Sequence, residues 1–521
     1  MWTIGTPCDV ADWLRSRVTG SLQCDSRRVE AGDGFVAWPG AATDGRRYVA
    51  AALQAGASAA LVEAEGAEAF GFSDERILAV PGLKQQAGPI ASAFHGDPSA
   101  ALDVVAITGT NGKTSCAWWL AQLLSAVQRP CAVVGTLGIG LPPATPKSDR
   151  LLGERPSTIV STGLTTPDPV LLQARLRGLV DAGVKACAIE ASSIGIVEGR
   201  LNATHIGVAV FTNFTQDHLD FHGSMAAYWA AKAALFDWPG LQAAVVNVDD
   251  AHGAALAAQL AVRPLDLWTV GIEKPSESAS ARLAVRDIGF TPSGMRLTVV
   301  ERNPAGLVIG TYSLNLPLVG RYNVSNLLCV LASARALGVP LAEAVRACDT
   351  LTPVPGRMEQ VVATHTGPLV LVDYAHTPDA LEKALQALQP LAQQRGGALW
   401  CVMGCGGDRD ASKRPLMAAV AERDAQHAVL TSDNPRSEDP LRILQQMVAG
   451  LSHPEQALVE ADRARAIALA VQRADARDVV LIAGKGHEDY QEVLGVKRPF
   501  SDLAQARTAL AQRGVAQGDA A

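Results

Sequence analysis

The segment from Gly109 to Thr114, GTNGKT, combines residue types that bind phosphate groups. Glycines let backbone amides approach phosphate oxygens, and a helix that follows adds positive potential at its amino terminus. Lysine can neutralise β- and γ-phosphate oxygens, and threonine can ligate magnesium. The strand-like run VVAIT precedes the segment and the apolar-periodic run CAWWLAQLLSAV follows it. We therefore predict a shortened P-loop that binds ATP through Gly109, Thr110, Asn111, Gly112, Lys113 and Thr114, in preference to a glycine turn facing solvent.

A lysine within an apolar helix is the second candidate for chemistry. Lys232 lies in MAAYWAAKAALF, where Tyr228, Trp229 and Phe236 share its helical face. Burial against aromatic rings lowers the pKa of a lysine, and the neutral amine can react with carbon dioxide to form a carbamate. From this helix alone, the commoner alternative is a snorkelling lysine whose stem covers apolar surface.

Metal-ligating side chains stand near that helix in the sequence. The segment QDHLDFHGS, residues 216–224, offers oxygen and imidazole ligands after a buried strand, and Glu190 ends the apolar run ACAIE. We predict that magnesium ions around the phosphates are shared by Thr114, Glu190, His218 and a carbamylated Lys232. The predicted catalytic residues are Lys113, Glu190, His218 and Lys232.

Four apolar runs in the carboxyl-terminal third are each followed at once by polar residues. The runs are PLVLVD, LWCVMG, HAVLTS and DVVLIAG, and the segments after them are DYAHTP, CGGDRD, DNPRSEDP and KGHEDY. In an open doubly wound sheet, the ligand crevice lies outside the carboxyl ends of the strands. The pattern therefore predicts a binding crevice at one edge of this sheet.

The elements that position these residues are predicted to form three α/β domains, as a length of 521 residues suggests. Residues 1–100 indicate a small amino-terminal α/β module, with short apolar runs separated by turns. Residues 101–352 indicate a central P-loop-type domain with a mostly parallel sheet. The segment TPVPG, residues 352–356, breaks any helix, so residues 353–521 are predicted to form a Rossmann-like, doubly wound third domain.

Composition excludes several other classes of protein. Hydrophobic residues make up 48% of the chain and charged residues 19%, which suits packed cores and argues against disorder. A net charge of -7 provides no basic field for nucleic acid. The cysteines are scattered, and neither a secretory signal nor a membrane-spanning run is evident. We expect a cytoplasmic protein without a nucleic-acid partner and without membrane insertion.

A series of motifs resembles, in content and in order, those of the Mur ligase family. They are GTNGKT, LTTPD, EASS, DHLDFHGSMAAYWAAKAALF, GRYNVSN, PGRME, DYAHTPDAL, GCGGDRDASKRP, SDNPRSEDP and AGKGHEDYQ. The resemblance covers nearly the whole chain from Asp25 onward. It implies an ATP-dependent carboxylate–amine ligase of peptidoglycan synthesis, whose three domains hold in order the UDP end of a precursor, ATP and the incoming amino acid.

The resemblance also implies roles for particular residues. The UDP moiety would contact Ser26, and the adenine, ribose and phosphate of ATP would contact Asn323, Arg357 and Asp373. The muramoyl dipeptide would be lined by Thr165, Thr166, Ser192, Glu198 and Arg200. The sequence departs from the family at Ile194 and Glu198, where histidine and glutamine are common, and the stretch from Ala41 to Thr43 lacks a familiar His-Gln pair.

The segment DNPR, Asp433 to Arg436, resembles the signature of Mur ligases that add meso-diaminopimelate, as opposed to lysine. An amino acid head group carries both charges, so its recognition requires carboxylate acceptors and guanidinium donors. The implied contacts are Arg409, Asp433, Asn434, Pro435, Arg436, Gly484 and Glu488.

The other substrate would be UDP-MurNAc-L-Ala-D-Glu, activated as an acyl phosphate, and we expect a monomer. The alternatives are a lysine-adding Mur ligase, a folylpolyglutamate synthase-like ligase and a nucleotide-regulated binding module without amide chemistry.

Overall fold

The structure is a computed structural model that describes residues 5–40, 43–143, 158–273, 281–291, 294–316, 320–361 and 367–518. Within these residues, three α/β units follow one another along the chain, and each is built on its own sheet. The predicted fold class, α/β in three domains, is confirmed. Ala41 and Ala42, which belong to the stretch that departs from the family, lie outside the described residues.

The first unit is a four-stranded, fully parallel sheet in the order β1-β2-β3-β4. The buried carboxylate of Glu63, at the end of β3, accepts hydrogen bonds from the amides of Gly82 and Leu83 at 3.0 and 2.7 Å and so caps α3. The elements are β1 (Leu22–Gln23), β2 (Gly34–Ala37), β3 (Ala59–Glu63) and β4 (Ile77–Val80), with α1 (Pro7–Arg15), α2 (Val49–Gln54) and α3 (Leu83–Phe94).

The second unit contains a ten-stranded sheet in the order β14-β13-β12-β11-β10-β9-β5-β8-β6-β7. Its strands are β5 (Asp103–Thr108), β6 (Cys131–Gly135), β7 (Gly138–Gly140), β8 (Ala186–Glu190), β9 (Val208–Phe211), β10 (Ala243–Asn247), β11 (Asp266–Ile272), β12 (Leu283–Thr291), β13 (Gly294–Arg302) and β14 (Val308–Leu316). Its helices are α4 (Lys113–Ala126), α5 (Pro169–Asp181), α6 (Ser193–Val197), α7 (Leu219–His222), α8 (Met225–Ala233), α9 (Ala251–Leu260), α10 (Arg321–Ala336) and α11 (Leu341–Ala347).

The strands from β12 to β6 in this sheet are all parallel, whereas β13, β14 and β7 add antiparallel edges. Helices α4 and α10 pack on one face of the sheet and α5, α8 and α9 on the other. Central strands covered on both faces must be apolar throughout, which explains the continuous hydrophobic runs in the sequence.

The third unit is a six-stranded sheet in the order β15-β16-β20-β17-β18-β19, in which only β15 is antiparallel. Helices α12, α13 and α14 cover one face and α15 and α16 the other, so the sheet is doubly wound as predicted. The strands are β15 (Glu359–Gln360), β16 (Leu369–Asp373), β17 (Leu399–Cys405), β18 (His427–Ser432), β19 (Leu458–Val459) and β20 (Val479–Ala483), followed by the hairpin β21 (Tyr490–Val493) and β22 (Val496–Pro499). The helices are α12 (Pro378–Arg395), α13 (Lys413–Asp424), α14 (Pro440–Val448), α15 (Arg463–Arg473) and α16 (Asp502–Gly518).

A fully buried ion pair fixes two strand ends of the third unit. The Arg463 guanidinium lies 2.6 Å from the Asp502 carboxylate and also donates to the carbonyls of Ser432 and Ala483, the last residues of β18 and β20. A buried charge is tolerated only when its donors are satisfied, as they are here. The pair therefore sets the spacing of the loops that follow β18 and β20.

The linker between the second and third units is attached to the P-loop helix α4. Trp119 Nε1 donates to the Thr352 carbonyl at 3.0 Å, and Gln122 exchanges two hydrogen bonds with Thr352 at 2.7 and 3.1 Å. The chain therefore leaves the second unit from a fixed point on α4. None of the described helices combines the length and apolar character that a membrane crossing requires.

Candidate active site

The loop between β5 and α4 has the strand–turn–helix form predicted for a P-loop. Gly109 and Gly112 have positive φ angles of 143° and 88°, which side chains of L-residues rarely allow. A Cβ atom at Gly109 would overlap the Thr212 hydroxyl, and one at Gly112 would overlap the side chain of Asn326. The two glycines are therefore required by both conformation and space.

Two lysines converge on one carbonyl of this loop. Lys113 Nζ donates to the carbonyls of Gly109 and Thr110 at 2.8 and 2.9 Å, and Lys232 Nζ also donates to the Gly109 carbonyl at 2.8 Å. Lys232 is 1% exposed, and its Nζ lies 4.3 Å from the centre of the Tyr228 ring. Burial lowers the pKa of Lys232 well below its usual value, and the positive charge of Lys113 lowers it further. This arrangement favours a neutral amine at Lys232.

Glu190, at the carboxyl end of β8, connects several groups of the predicted site. Its Oε2 accepts from the hydroxyls of Thr114 at 3.0 Å and Thr136 at 3.1 Å, and its Oε1 accepts from the Thr136 amide at 2.8 Å. Arg357 Nη2 reaches the Thr114 hydroxyl at 3.2 Å from the third unit. Glu190 and Thr114 are thus in contact, and both lie at the phosphate loop.

The predicted magnesium ligands are only partly assembled. Among the described residues, no group of three or more His, Cys, Asp or Glu side chains could hold a metal ion. His218 lies 3.5 Å from the carboxylate of Asp217, and burial lowers its pKa. Thr114 and Glu190 do present hydroxyl and carboxylate oxygens side by side, which are the donor types that magnesium prefers. The four-residue metal set stays a prediction.

Four of the residues predicted to line the muramoyl dipeptide form a connected group beside Glu190. The Thr166 hydroxyl donates to the Glu190 carbonyl at 2.8 Å and lies 2.8 Å from the Ser192 hydroxyl. Arg200 Nη1 donates to the Thr166 carbonyl at 3.0 Å, and the hydroxyls of Thr165 and Thr136 are 3.1 Å apart.

Glu198 and Ser26 lie where the first and second units meet. The Glu198 carboxylate forms a 2.7 Å ion pair with Lys84 of α3. Ser26 begins the turn Ser26–Arg28, two residues after Cys24. The Cys24 thiol faces Asp168 at the start of α5, and burial raises its pKa.

A narrow crevice of about 100 Å³ lies between the second and third units. It is lined from one side by the P-loop and α10 and from the other by the segment after β16, and it contains Asn323, Arg357 and Asp373. The Asp373 carboxylate accepts from the amides of Met358 and Ala375 at 2.7 and 2.8 Å, and burial raises its pKa. The predicted nucleotide residues are therefore gathered in one crevice.

A second cavity, of about 570 Å³, lies at the carboxyl ends of β16, β17, β18 and β20, where the sequence pattern predicted a crevice. The predicted amino-acid residues that line it are Arg409, Asp433, Asn434, Arg436, Gly484 and Glu488. Pro435 instead packs its carbonyl against Gly407. The second unit contributes residues 216–218 and Ile194 to the same cavity. A larger cavity of about 690 Å³, at the amino-terminal edge of the central sheet, contains none of the predicted site residues.

Tyr374 and His376 line both the crevice and the 570 Å³ cavity. The Arg357 guanidinium lies 4.5 Å from the centre of the Tyr374 ring. His376 Nδ1 lies 2.7 Å from the Tyr374 carbonyl, and burial together with nearby Lys413 lowers the pKa of His376 to about 4. These two residues form a common wall between the two binding spaces.

Several residues of the site were missed in the sequence. Tyr374 and His376 stand in DYAHTP directly after β16, so the rule that ligands bind at strand ends could have identified them. Thr136 directly follows β6 and carries the same signal. Lys485, fully buried between Gly484 and Glu488, had no signal of its own because lysine after a strand usually faces solvent.

Three family models match the chain in succession. They are described as Mur ligase family, catalytic domain, over residues 20–95; Mur ligase middle domain, over residues 107–334; and Mur ligase, glutamate ligase domain, over residues 356–486. Together they cover all three units of the fold.

Individual relatives match over almost their whole length. A protein of Acidovorax sp. (strain JS42), named UDP-N-acetylmuramoyl-L-alanyl-D-glutamate--2,6-diaminopimelate ligase, is 56% identical over 519 residues, which are 98% of each chain. A solved structure of a ligase of the same name is 35% identical, covers 95% of both chains and has a TM-score of 0.60. MurF from Acinetobacter baumannii, 18% identical over 98% of both chains with a TM-score of 0.65, shares the fold. The three matched domains and the full-length identity show that the chain belongs to the Mur ligase family.

Proposed function

We propose that the chain is an ATP-dependent ligase of peptidoglycan biosynthesis that joins meso-2,6-diaminopimelate to UDP-MurNAc-L-Ala-D-Glu. The bond would form at the D-glutamate side-chain carboxylate and give UDP-MurNAc-tripeptide, ADP and phosphate. The observation that carries this proposal is the common wall of Tyr374 and His376, which separates a crevice beside the P-loop from a cavity lined by the DNPR residues. A relative that is 56% identical over 98% of the chain bears the name of such a ligase.

ATP would occupy the crevice between the second and third units. Asn323, Arg357 and Asp373 line the part of the crevice where adenine and ribose would lie. In this structure, Lys113 donates to two loop carbonyls. When ATP binds, negatively charged phosphate oxygens would take the place of these neutral carbonyls as hydrogen-bond acceptors. Burial lowers the pKa of Lys113, and the negative phosphates would raise it again and so stabilise the ammonium form when ATP binds.

Magnesium fits the oxygens that lie beside the loop. Thr114 and Glu190 would hold it, with His218 and a carbamylated Lys232 completing the set, because hydroxyl and carboxylate oxygens already stand 3.0 Å apart there. The ion would supply charge neutralisation to the oxygens of the transferring phosphoryl group.

The surroundings of Lys232 support the proposed carbamate. Two ammonium groups on one carbonyl repel each other, and burial together with the charge of Lys113 lowers the pKa of Lys232 well below its usual value. A carbamate nitrogen keeps one hydrogen, which can still donate to the Gly109 carbonyl. The added carboxylate would turn the repulsion by Lys113 into an attraction and would add a negatively charged metal ligand.

The precursor would bind between the first and second units, with Ser26 at its UDP end. Hydroxyl groups of Thr165, Thr166 and Ser192 and the guanidinium of Arg200 lie beside Glu190, where they can hold the carboxylates of the muramoyl dipeptide. The neighbouring Glu198 is paired with Lys84, so we assign it to orienting that lysine toward the precursor.

The chemistry proceeds in two steps. The D-glutamate side-chain carboxylate attacks the γ-phosphorus of ATP, which gives an acyl phosphate and ADP, while Lys113 stabilises the charge on the transferring oxygens. The amine of diaminopimelate then attacks the acyl carbon, and the tetrahedral intermediate expels inorganic phosphate and loses a proton. Because an acyl phosphate hydrolyses readily, closure of the third unit over the crevice would exclude water.

Selection of diaminopimelate would depend on the charged residues of the 570 Å³ cavity. Arg409 and Arg436 offer guanidinium donors, and Asp433 and Glu488 offer carboxylates, so together they match a zwitterionic head group. Lysine has no second head group and would leave Arg436 without an anionic partner. We also propose that the enzyme acts as a monomer on cytoplasmic substrates.

The decisive assay measures phosphate release from UDP-MurNAc-L-Ala-D-Glu, ATP and magnesium with different amino acids. We expect kcat/KM for meso-diaminopimelate to exceed that for L-lysine by about 10³-fold or more, because lysine would leave the half-buried guanidinium of Arg436 without its anionic partner. Equal or reversed preference would identify a lysine-adding enzyme. Turnover of a folate with glutamate would identify a folylpolyglutamate synthase-like ligase, and ADP release that no amino acid stimulates would identify a binding module.

A variant pair connects this preference to the structure. Arg436→Ala should reduce the preference for diaminopimelate over lysine by about 10²-fold, since it removes the donor that lysine leaves unpaired. The matched control is Arg498→Ala, which removes an exposed guanidinium from β22 of the adjacent hairpin. If both substitutions reduced the preference for diaminopimelate over lysine equally, the role assigned to Arg436 would be refuted.

A further inference from the structure

The loop after β20 contains a buried cation to which the proposed reaction assigns no role. Lys485 is 0% exposed, and its Nζ donates to Asn434 Oδ1 and to Glu488 Oε2, both at 3.0 Å. Asn434 Nδ2 donates to the same Glu488 oxygen at 2.7 Å. The three side chains therefore form a closed triangle of hydrogen bonds at the wall of the 570 Å³ cavity.

The triangle determines the orientation of the Asn434 amide. Asn434 Oδ1 accepts from Lys485 Nζ and from the Glu492 amide, which lies 3.0 Å away, so both of its lone pairs are used. If the amide were flipped, its NH₂ group would face two donors and its oxygen would face a carboxylate. Nδ2 must therefore point to Glu488, and it keeps one further hydrogen for another acceptor.

Lys485 also balances charge in the cavity. Asp433 and Glu488 both line it, and the Glu488 side chain is only 19% exposed. Without the Lys485 ammonium, Glu488 would retain only the neutral Asn434 as a side-chain hydrogen-bond partner among the described residues, and the extra negative charge would repel the carboxylate of an incoming head group. With Lys485 in place, the wall presents an amide hydrogen beside a carboxylate, which is the complement of a zwitterion.

We infer that Lys485 is a positioning residue for amino-acid selection: it holds Asn434 so that Nδ2 donates to the head-group carboxylate, and it holds Glu488 so that its carboxylate receives the head-group ammonium. The inference rests on the proposed function for the identity of the amino acid. Lys485 itself lies behind these two residues and acts through them.

The test uses the full-length enzyme and the substitution Lys485→Met, which keeps most of the length of the side chain and removes the ammonium. We expect KM for meso-diaminopimelate to rise by about 10- to 100-fold, while kcat and KM for ATP stay within about 3-fold of wild type. The preference over lysine should fall along with the affinity. The matched control is Lys497→Met, because Lys497 is exposed on β22 and its Nζ lies 4.3 Å from the Tyr490 ring centre, near which Lys485 also lies at 5.4 Å.

A double-variant cycle separates positioning from a general loss of structure. Glu488→Gln removes the carboxylate that Lys485 neutralises, so the double variant Lys485→Met/Glu488→Gln should be less impaired in KM than the product of the two single effects predicts. Independent effects, or a Lys485→Met enzyme with unchanged KM for the amino acid, would overturn the inference. If Lys485→Met does not fold, Lys485→Gln takes its place, since an amide retains one donor to Asn434 and lacks the charge.

Every assay of these variants uses the amino acid that the wild-type enzyme turns over. An error in the proposed function then appears as a different preferred substrate of the wild-type enzyme. An error in the inference appears as a variant whose KM for that substrate is unchanged.

Discussion

At the scale of single residues, the site depends on buried cations whose partners differ in kind. Lys232 shares a neutral carbonyl with Lys113, so its surroundings favour loss of the proton. Lys485 instead donates hydrogen bonds to the carboxylate of Glu488 and to the amide oxygen of Asn434, both at 3.0 Å. Two similarly buried lysines of one chain thus have different partners, and we assign them different tasks: a carbamate ligand at Lys232 and a positioning group at Lys485.

The first prediction concerns Lys232. Lys232→Ala should lower phosphate release by at least about 10²-fold, because it removes the negative ligand that the proposed carbamate would supply. Acetate or propionate at millimolar concentration should restore part of the rate, since a small carboxylate can enter the space left by the side chain. Lys185→Ala, an exposed lysine of the same unit, serves as the control. Wild-type rates in the Lys232→Ala enzyme would remove the carbamate from the mechanism.

Residue types and their spacing predicted some of the site residues and could not predict others. Lys232 was identifiable because aromatic residues recur at helical spacing around it, so a local pattern reported its burial. Thr136 and Lys485 contact partners 54 and 51 positions away in the chain, Glu190 and Asn434 respectively. Such contacts depend on which strands become neighbours, and no local pattern carries that information.

At the scale of elements, the site is an alignment of strand ends and helix starts. The P-loop joins β5 to α4, and Glu190 lies at the end of the neighbouring strand β8. In the third unit, the ends of β16, β17, β18 and β20 face one cavity. The sequence predicted these elements because runs buried on both faces of a sheet are continuously apolar. Strand order was not predictable, since β20 inserts between β16 and β17 although it follows them both in the chain.

The second prediction concerns the glycine at the start of α4. Gly112→Ala should abolish detectable ATP binding and lower the stability of the protein, because the new Cβ would overlap the Asn326 side chain and the residue has a φ of 88°. Gly338→Ala is a matched control, since Gly338 has a φ of 85° and no atom within 4 Å of its ideal Cβ position. The control should cost only about 1 kcal/mol of conformational strain.

Titration of each Gly variant with a fluorescent ATP analogue and thermal unfolding provide the two measurements. Equal losses of ATP binding and of stability in both variants would mean that backbone strain alone accounts for the requirement for glycine. The close approach of α10 to the loop would then have no effect. Normal ATP binding by Gly112→Ala would contradict the assignment of the phosphate site to this loop.

At the scale of the whole molecule, polar side chains of one unit contact the next unit at several points. Lys84 and Glu198 join the first unit to the second, and the pair is partly exposed, so its energetic contribution is small. The third unit reaches the P-loop through Arg357, which contacts Thr114, and through Asp379, which contacts Asn111. Both contacts from the third unit end on residues of the phosphate loop, so occupation of that loop and the position of the third unit should be coupled.

The third prediction tests this coupling at Asp379. Its carboxylate accepts from Asn111 Nδ2 at 3.2 Å and from Lys383 Nζ at 2.9 Å, so one side chain of α12 connects the third unit to the P-loop. Asp379→Ala should destabilise the closed arrangement by about 1 kcal/mol, which corresponds to roughly a 5-fold increase in KM for ATP. Small-angle X-ray scattering should show a larger radius of gyration for the variant without ATP, and saturating ATP should restore the wild-type value.

The control for Asp379→Ala is Asp181→Ala. Asp181 forms an ion pair with Arg177, four residues earlier in α5, so this substitution also breaks a helical ion pair with a spacing of four residues. If both substitutions change KM for ATP equally, loss of a helical ion pair accounts for the effect and the contact between units does not. If neither changes it, Arg357 alone holds the third unit against the loop. A change confined to Asp379→Ala and reversed by ATP would mean that the nucleotide replaces the lost contact, because the phosphates then bridge the two units through Lys113 and Arg357.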